Sequence, residues 1–103
     1  MADLTQEEWA SQLATDDNAF VLDVRTEEEV AEGFIPTATN LDIYEGQAFV
    51  DELEKLDKSK TYYVYCRSGK RSAQACSIMH GLGFEKTYNL LGGFMEWEGD
   101  VKE

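Results

Sequence analysis

Residues 61–72, "TYYVYCRSGKRS", define the centre of the fold in this chain of 103 residues. The stretch opens with β-branched and aromatic residues, which favour a strand. Gly69 then gives the backbone the freedom to turn, including positive φ. Beyond it, Ala73, Cys76 and Met79 recur at helical spacing. The stretch therefore predicts a strand, a tight loop and a helix in direct succession.

Similar elements are predicted on both sides of this stretch. The run "AFVLDV" at 19–24 is almost continuously apolar, as in a strand that is covered on both faces. Further short strands are predicted near 38–41 and at 87–91, and helices over 5–14, 26–33, 47–56 and after 94. Alternating strands and helices predict an α/β fold: a central, mostly parallel sheet of four to five strands with helices on both faces.

Length, charge and cysteine usage limit the classes of function. The length predicts one domain over residues 1–103. A net charge of -12 opposes binding to nucleic acids and to anionic membranes, so we expect neither as a partner. The N-terminus does not resemble a secretory signal, and no run approaches the ~20 apolar residues of a membrane span, so a cytoplasmic location is expected. The spacing of Cys66, Cys76 and His80 matches no metal-site pattern, and neither a metal nor a cofactor is expected.

Cys66 is the candidate nucleophile. It ends the predicted strand and precedes a helix N-terminus, where backbone amides converge and the helix dipole contributes about half a positive charge. Three of the nine basic residues lie close behind it: Arg67, Lys70 and Arg71. Two hydroxyl donors lie in the same loop: Ser68 and Ser72. Both the amides and the cations predict a thiol pKa below its ordinary value of ~8.5.

Structural roles are the alternative for each of these residues. A cysteine is often buried for packing alone, and a basic cluster can be a solvated turn. Cys76 lacks neighbouring cations and is predicted to pack in the core, with a redox role left open. His80 is interpreted as a surface or packing residue. The acidic run at 26–33 is interpreted as a helix N-terminus with a solvated face and no acid or base role.

The spacing within the loop favours sulfur chemistry over phosphate chemistry. Cysteine-dependent protein phosphatases place five residues between the cysteine and the arginine, whereas four residues separate Cys66 from Arg71. A smaller ring of amides fits one sulfur atom better than a tetrahedral phosphate. Phosphatase or arsenate-type chemistry remains the less favoured alternative, and hydrolysis of an aryl phosphate would reveal it.

The motifs resemble those of the rhodanese-like sulfurtransferases over about residues 19–98. "CRSGKRS" is similar to the active-site loop of that family, "VLDVRTEEEVAEGFIPTATNL" to its first signature and "LGFEKTYNLLGGFMEW" to its C-terminal signature. Phe34 stands where the family usually has histidine, and Thr37 where it has glycine. The family sheet has five strands, and the first of them is not evident in this sequence.

The resemblance implies roles for nine residues. Cys66 would form a persulfide, and Asp23 and Arg25 would support the loop. The residues assigned to substrate binding are Arg67, Ser68, Gly69, Lys70, Arg71 and Ser72. The implied activity is that of a thiosulfate sulfurtransferase with a small anionic sulfur donor, and with cyanide, a thiol or a protein as acceptor. The alternative is a persulfide carrier or interaction module with little turnover of free thiosulfate.

Overall fold

The computed structural model describes residues 2–103 and contains one five-stranded sheet. The strands are β1 (Ala2–Leu4), β2 (Ala19–Asp23), β3 (Thr39–Asn40), β4 (Thr61–Tyr65) and β5 (Lys86–Leu90). The α-helices are α1 (Gln6–Ala14), α2 (Glu27–Ala31), α3 (Gln47–Glu54) and α4 (Lys70–Gly81), with 3-10 turns at Ile43–Glu45 and Phe94–Glu96. The strands pair in parallel in the order β1-β5-β4-β2-β3. The predicted α/β fold with a parallel sheet is confirmed.

The N-terminal strand is the main element that the sequence did not reveal. β1 has only three residues and lies at the edge of the sheet, where Ala2 pairs with Tyr88 and Leu4 with Leu90. So short a segment has no hydrophobic period of its own, and its extended shape depends on pairing with β5. The helix predicted after residue 94 is a single 3-10 turn.

Strand β4 lies in the middle of the sheet and is buried along its whole length. Tyr62, Val64 and Cys66 join the core on the side of α3 and α4. Tyr63 and Tyr65 pack in the core on the opposite face of the sheet. The buried residues of this second core are Trp9, Val21, Ile35, Tyr63, Tyr65 and Leu90. Because both faces of β4 are covered, its sequence shows no alternation of apolar and polar residues.

The two departures from the family signature lie in the bend before β3. Phe34 exchanges backbone hydrogen bonds with Lys102, at 2.9 and 2.8 Å, and so attaches the C-terminal segment. Thr37 has a φ of 75°, which is strained for a β-branched residue and easily adopted by glycine. The bend therefore keeps a backbone conformation suited to glycine although a threonine occupies it.

Candidate active site

Cys66 lies directly after β4, and its side chain is fully buried. Its Sγ accepts hydrogen bonds from the Gly69 amide at 3.1 Å and from the Ser72 hydroxyl at 3.4 Å. Gly69 has a φ of 101°, which allows its amide to turn toward the sulfur. The loop between β4 and α4 thus encloses one sulfur atom.

The pKa of the Cys66 thiol is set by burial and by hydrogen bonds. Burial raises this pKa, and donation from the Ser72 hydroxyl and from the amides of Ser72, Gly69 and Ser68 lowers it by more. The net pKa is below the ordinary value of a cysteine, as the sequence predicted. The hydrogen-bond donors have a larger effect than the loop cations, to which sequence reasoning gave equal weight.

The three loop cations differ in their surroundings. Arg67 and Lys70 are exposed, and neither forms an ion pair within residues 2–103. Arg71 donates two hydrogen bonds to the carboxylate of Glu29, from Nη1 at 2.7 Å and from Nη2 at 2.8 Å. The sequence motifs imply substrate binding by all three cations, but in the structure the guanidinium of Arg71 is already paired with the carboxylate of Glu29.

Glu29 reaches the loop from α2, where it also caps the helix. Its carboxylate accepts hydrogen bonds from the Thr26 amide at 3.1 Å and from the Thr26 hydroxyl at 3.2 Å. The hydrogen bonds from Arg71 are the main reason that the pKa of Glu29 falls to about 2, against the opposing effect of burial. Sequence reasoning placed this residue in a solvated acidic run and missed its contact with the loop.

Asp23 and Arg25 form a buried ion pair at the carboxyl end of β2. The guanidinium also donates to the Gly33 carbonyl at 2.7 Å and lies 4.3 Å from the centre of the Phe94 ring. Phe94 in turn donates its amide to the Cys66 carbonyl at 2.8 Å. The Asp23–Arg25 ion pair is therefore connected to the loop after β4 through Phe94.

The carboxyl end of β5 supplies a contact that sequence reasoning missed. Asn89 is buried, and its Nδ2 donates to the Gly69 carbonyl at 3.2 Å and to Asp3 at 3.0 Å. Its Oδ1 lies within hydrogen-bond distance of the Ser72 hydroxyl and so competes with the Cys66 Sγ for the single hydroxyl hydrogen. The parallel register that pairs Val64 with Asn89 brings this side chain to the loop.

Gly93 brings the segment after β5 against the loop backbone. It has a φ of 61°, and a Cβ at this position would overlap the Arg67 carbonyl. The next amides donate to the loop, Phe94 to Cys66 at 2.8 Å and Met95 to Arg67 at 2.9 Å. The consecutive glycines Gly92 and Gly93 predict a turn from the sequence alone. Only the tertiary structure shows that this turn packs against the backbone of Arg67.

A cavity of about 320 Å³ lies beside the loop. Its lining residues are Arg25, Glu29, Glu32, Arg67, Phe94 and Met95. The carboxylates of Glu29 and Glu32 lie there near the guanidinium of Arg67, which forms no ion pair within residues 2–103. The side chains of Phe94 and Met95 form the apolar part of the lining. Such a cavity can hold the part of a substrate that is not transferred.

Cys76 and His80 lie on α4, outside the loop that surrounds the Cys66 Sγ. Cys76 is fully buried in the core, and burial raises the pKa of its thiol to about 11. His80 is exposed on α4. Among residues 2–103, no three His, Cys, Asp or Glu side chains are grouped to hold a metal ion. Over the same residues, no helix has the length and apolar character of a membrane span.

The sequence of the chain is similar to those of known proteins. The family model of the rhodanese-like domain matches residues 6–100. The chain belongs to the rhodanese-like family. This rhodanese-like domain is 42% identical over 90 residues to the Bacillus subtilis protein YtwF, whose sulfurtransferase name is provisional, and the match covers 87% of this chain and 84% of the relative. It is 32% identical over 95 residues to a sulfurtransferase of Allochromatium vinosum, with 92% and 86% of the two chains covered.

A solved structure shows the same architecture. The rhodanese-like domain superimposes on the crystal structure of a rhodanese-like domain protein from Staphylococcus aureus with a TM-score of 0.83. The two chains are 31% identical, and the match covers 100% of each. The family resemblance drawn from the sequence motifs is confirmed, and with it the assignment to a sulfurtransferase family.

Proposed function

We propose that the protein transfers sulfane sulfur from thiosulfate or a similar small anionic donor, through a persulfide on Cys66, to cyanide, a thiol or a protein acceptor. The observation that supports this most directly is the enclosure of the Cys66 Sγ by the Gly69 amide and the Ser72 hydroxyl. A thiol with a lowered pKa in a ring of donors is a nucleophile that can also leave as a stabilised thiolate.

The first half-reaction loads the cysteine. The Cys66 thiolate attacks the outer sulfur of thiosulfate, a new sulfur–sulfur bond forms, and sulfite leaves with the electrons of the bond that breaks. Arg67 and Lys70, the exposed cations of the loop, attract the sulfonate end of the donor. The loop amides stabilise negative charge on the outer sulfur of the persulfide.

The second half-reaction regenerates the Cys66 thiolate. A nucleophilic acceptor attacks the outer sulfur, and the sulfur–sulfur bond breaks with its electrons going to Sγ. The donors that lower the thiol pKa, Gly69 and Ser72, stabilise the departing thiolate. The same contacts therefore assist both halves of the reaction.

The experiment that tests this function is the intact mass of the protein before and after incubation with thiosulfate. We expect a gain of one sulfur atom, located on Cys66 by peptide mapping and removed by cyanide or dithiothreitol. A folded Cys66→Ser variant should gain nothing. An unchanged mass in the original protein, or normal turnover in Cys66→Ser, would contradict the proposal.

A second candidate function is sulfur relay from one protein to another. Among the described residues, three of the four large apolar side chains that are most exposed lie beside the loop or the segment packed on it: Tyr44, Leu91 and Met95. The Tyr44 ring lies 5.3 Å from the Arg71 guanidinium, and Met95 hydrogen-bonds to Arg67 through its backbone. Exposed apolar groups around a reactive centre are typical of a protein contact.

The two candidate functions predict different effects of substituting the exposed apolar side chains beside the loop. The double substitution Tyr44→Ser and Leu91→Ser should slow sulfur exchange with a protein donor and leave turnover of thiosulfate with cyanide unchanged if the relay is the main function. Equal rates of protein exchange before and after substitution would remove the support for the relay. Rapid thiosulfate turnover in both proteins would favour the small-molecule enzyme.

A further inference from the structure

The positive charges around Cys66 are partly neutralised inside the protein. Arg25 is paired with Asp23, with 2.7 Å between Nη2 and Oδ2, and Arg71 is paired with Glu29, with 2.7 Å between Nη1 and Oε1. Two of the basic residues that the sequence placed at the site therefore add little net charge to it. A small anion that enters is attracted mainly by the two exposed loop cations and the backbone amides.

The ion pair between Glu29 and Arg71 persists over the ordinary pH range. Its carboxylate is fixed at the start of α2 by two hydrogen bonds from Thr26, and its pKa of about 2 keeps it ionised at neutral pH. The side chains of Arg71 and Glu29 are only 18% and 25% exposed, so water replaces their contact poorly. Protonation cannot release the guanidinium in the working range of the protein.

We propose that Glu29 is a specificity-determining residue, which neutralises Arg71 and thereby favours monoanionic sulfur donors over dianionic ones. The inference rests on the proposed sulfurtransferase function and concerns which donor loads Cys66. Glu29 acts through Arg71 and is a positioning residue, since nothing requires its carboxylate to touch the reacting sulfur atoms.

The physical reason is the product of charges in Coulomb's law. Removing one positive charge from the site weakens the attraction of a dianion twice as much as that of a monoanion at the same distance. Thiosulfate is a dianion that releases sulfite. Methanethiosulfonate is a monoanion of similar shape that releases methanesulfinate and delivers the same outer sulfur to the thiolate. The bonds that form and break are the same, so the two donors differ mainly in charge.

The test substitutes Glu29→Gln and compares these two donors. Glutamine retains the capping interaction with the Thr26 amide and removes the negative charge. Initial rates of thiocyanate formation from each donor with cyanide give KM and kcat. We expect the KM for thiosulfate to fall about fivefold and the KM for methanethiosulfonate to fall about twofold, with kcat unchanged for both. A purely structural role would not lower either KM.

Glu85→Gln is the matched control. Glu85 is exposed just before β5, at the edge of the sheet opposite the loop, and forms no ion pair within residues 2–103. Its substitution changes the net charge of the protein equally but leaves the charge at the site unchanged. We expect the ratio of the two KM values to stay as in the original protein.

A second variant, Glu29→Met, separates charge from helix capping. It has a similar length, no charge and no hydrogen bond to Thr26, and should lower the thiosulfate KM as Glu29→Gln does. Melting temperatures show that each variant is folded. The inference is overturned if the thiosulfate KM stays constant or rises in a folded Glu29 variant, or falls equally in Glu85→Gln.

These outcomes also separate the inference from the function on which it rests. If neither donor adds sulfur to Cys66, the sulfurtransferase function and this inference both fail. If both donors load Cys66 and the KM ratio does not respond to Glu29, the function stands and the role of Glu29 is rejected.

Discussion

Cys66 and Cys76 are both fully buried in the same apolar core, yet their thiols differ in acidity. The pKa of Cys66 is lowered, because hydrogen bonds from Ser72 and the loop amides outweigh burial. The pKa of Cys76 is raised to about 11, because burial there meets only a weaker opposing contribution from the Thr87 hydroxyl. Burial acts in the same direction on the pKa of both thiols, so it does not account for the difference between them.

The difference follows from the place of each residue relative to α4. Cys66 precedes the helix and meets amides of its first turn, which have no partner within the helix. Cys76 lies inside the helix, where the backbone amides are engaged in helical hydrogen bonds. The lowered pKa of Cys66 therefore depends on amides that the helix leaves without a partner.

The largest expected effect is in the labelling rates of the two thiols. In native protein at pH 7, iodoacetamide should modify Cys66 at least about a thousandfold faster than Cys76. The raised pKa keeps the Cys76 thiol protonated. Both thiols are buried, but Cys66 is followed by a loop with exposed residues, whose movement gives access to it, whereas access to Cys76 inside α4 needs opening of the core. Peptide mapping by mass spectrometry after timed quenching measures both rates. Comparable rates would show that the donors around Cys66 do not control its reactivity.

Gly93→Ala should change the reactivity of Cys66 and leave that of Cys76 unchanged. The new Cβ would overlap the Arg67 carbonyl, and the φ of 61° is unfavourable for alanine, so the loop must move. We expect sulfur loading of Cys66 by thiosulfate to fall at least about a hundredfold, while Cys76 stays unlabelled. Gly46→Ala has a similar φ and no close neighbour, and serves as control. Normal loading in Gly93→Ala would mean that the loop does not depend on this approach.

Ser72→Ala should make the two thiols more alike. Loss of the hydroxyl donor raises the pKa of Cys66, so alkylation at pH 7 should slow by about tenfold and recover at high pH. The folded-state pKa of Cys66 lies below the unfolded one, so its ionisation stabilises the fold at high pH. That contribution is lost as the pH falls through the folded-state pKa, and Ser72→Ala should reduce it.

The pH profile of alkylation measures this change. Ser68→Ala is the control, because the Ser68 hydroxyl is exposed and only its amide lowers the pKa of Cys66. A profile for Ser72→Ala that coincides with that of Ser68→Ala would assign the lowered pKa to the amides alone.

The smallest effect is expected from Thr87→Val, beside Cys76. The Thr87 hydroxyl is buried and lacks a hydrogen-bond partner of ordinary geometry among the described residues. Its replacement by a methyl group should raise the free energy of unfolding by about 1 kcal/mol, measured by urea denaturation. Cys66 alkylation should not change. A clear loss of stability would indicate that this hydroxyl makes a useful contact with Cys76.

The site was predictable where it depends on neighbours in the chain. Cys66, Gly69 and Ser72 lie within one strand–loop–helix connection, and their contacts follow from local spacing. Glu29 and Asn89 were not predictable from the residues around them, since they lie 42 and 20 residues from the loop groups that they bind. Their side chains are ordinary helix and strand residues in sequence, and only the packing of α2 and β5 against the loop gives them a second partner.

By itself, the sequence determined the alternation of strands and helices, the candidate nucleophile and the family, because each depends on short-range periodicity or on a contiguous motif. The tertiary structure alone decided which charges remain available at the site. A cation attracts a substrate only if no carboxylate of the protein already holds it, and the pairing of Arg71 with Glu29 joins segments that are far apart in the chain. It likewise decided that Ala2–Leu4 is a strand, because an edge strand of three residues exists only through its neighbour.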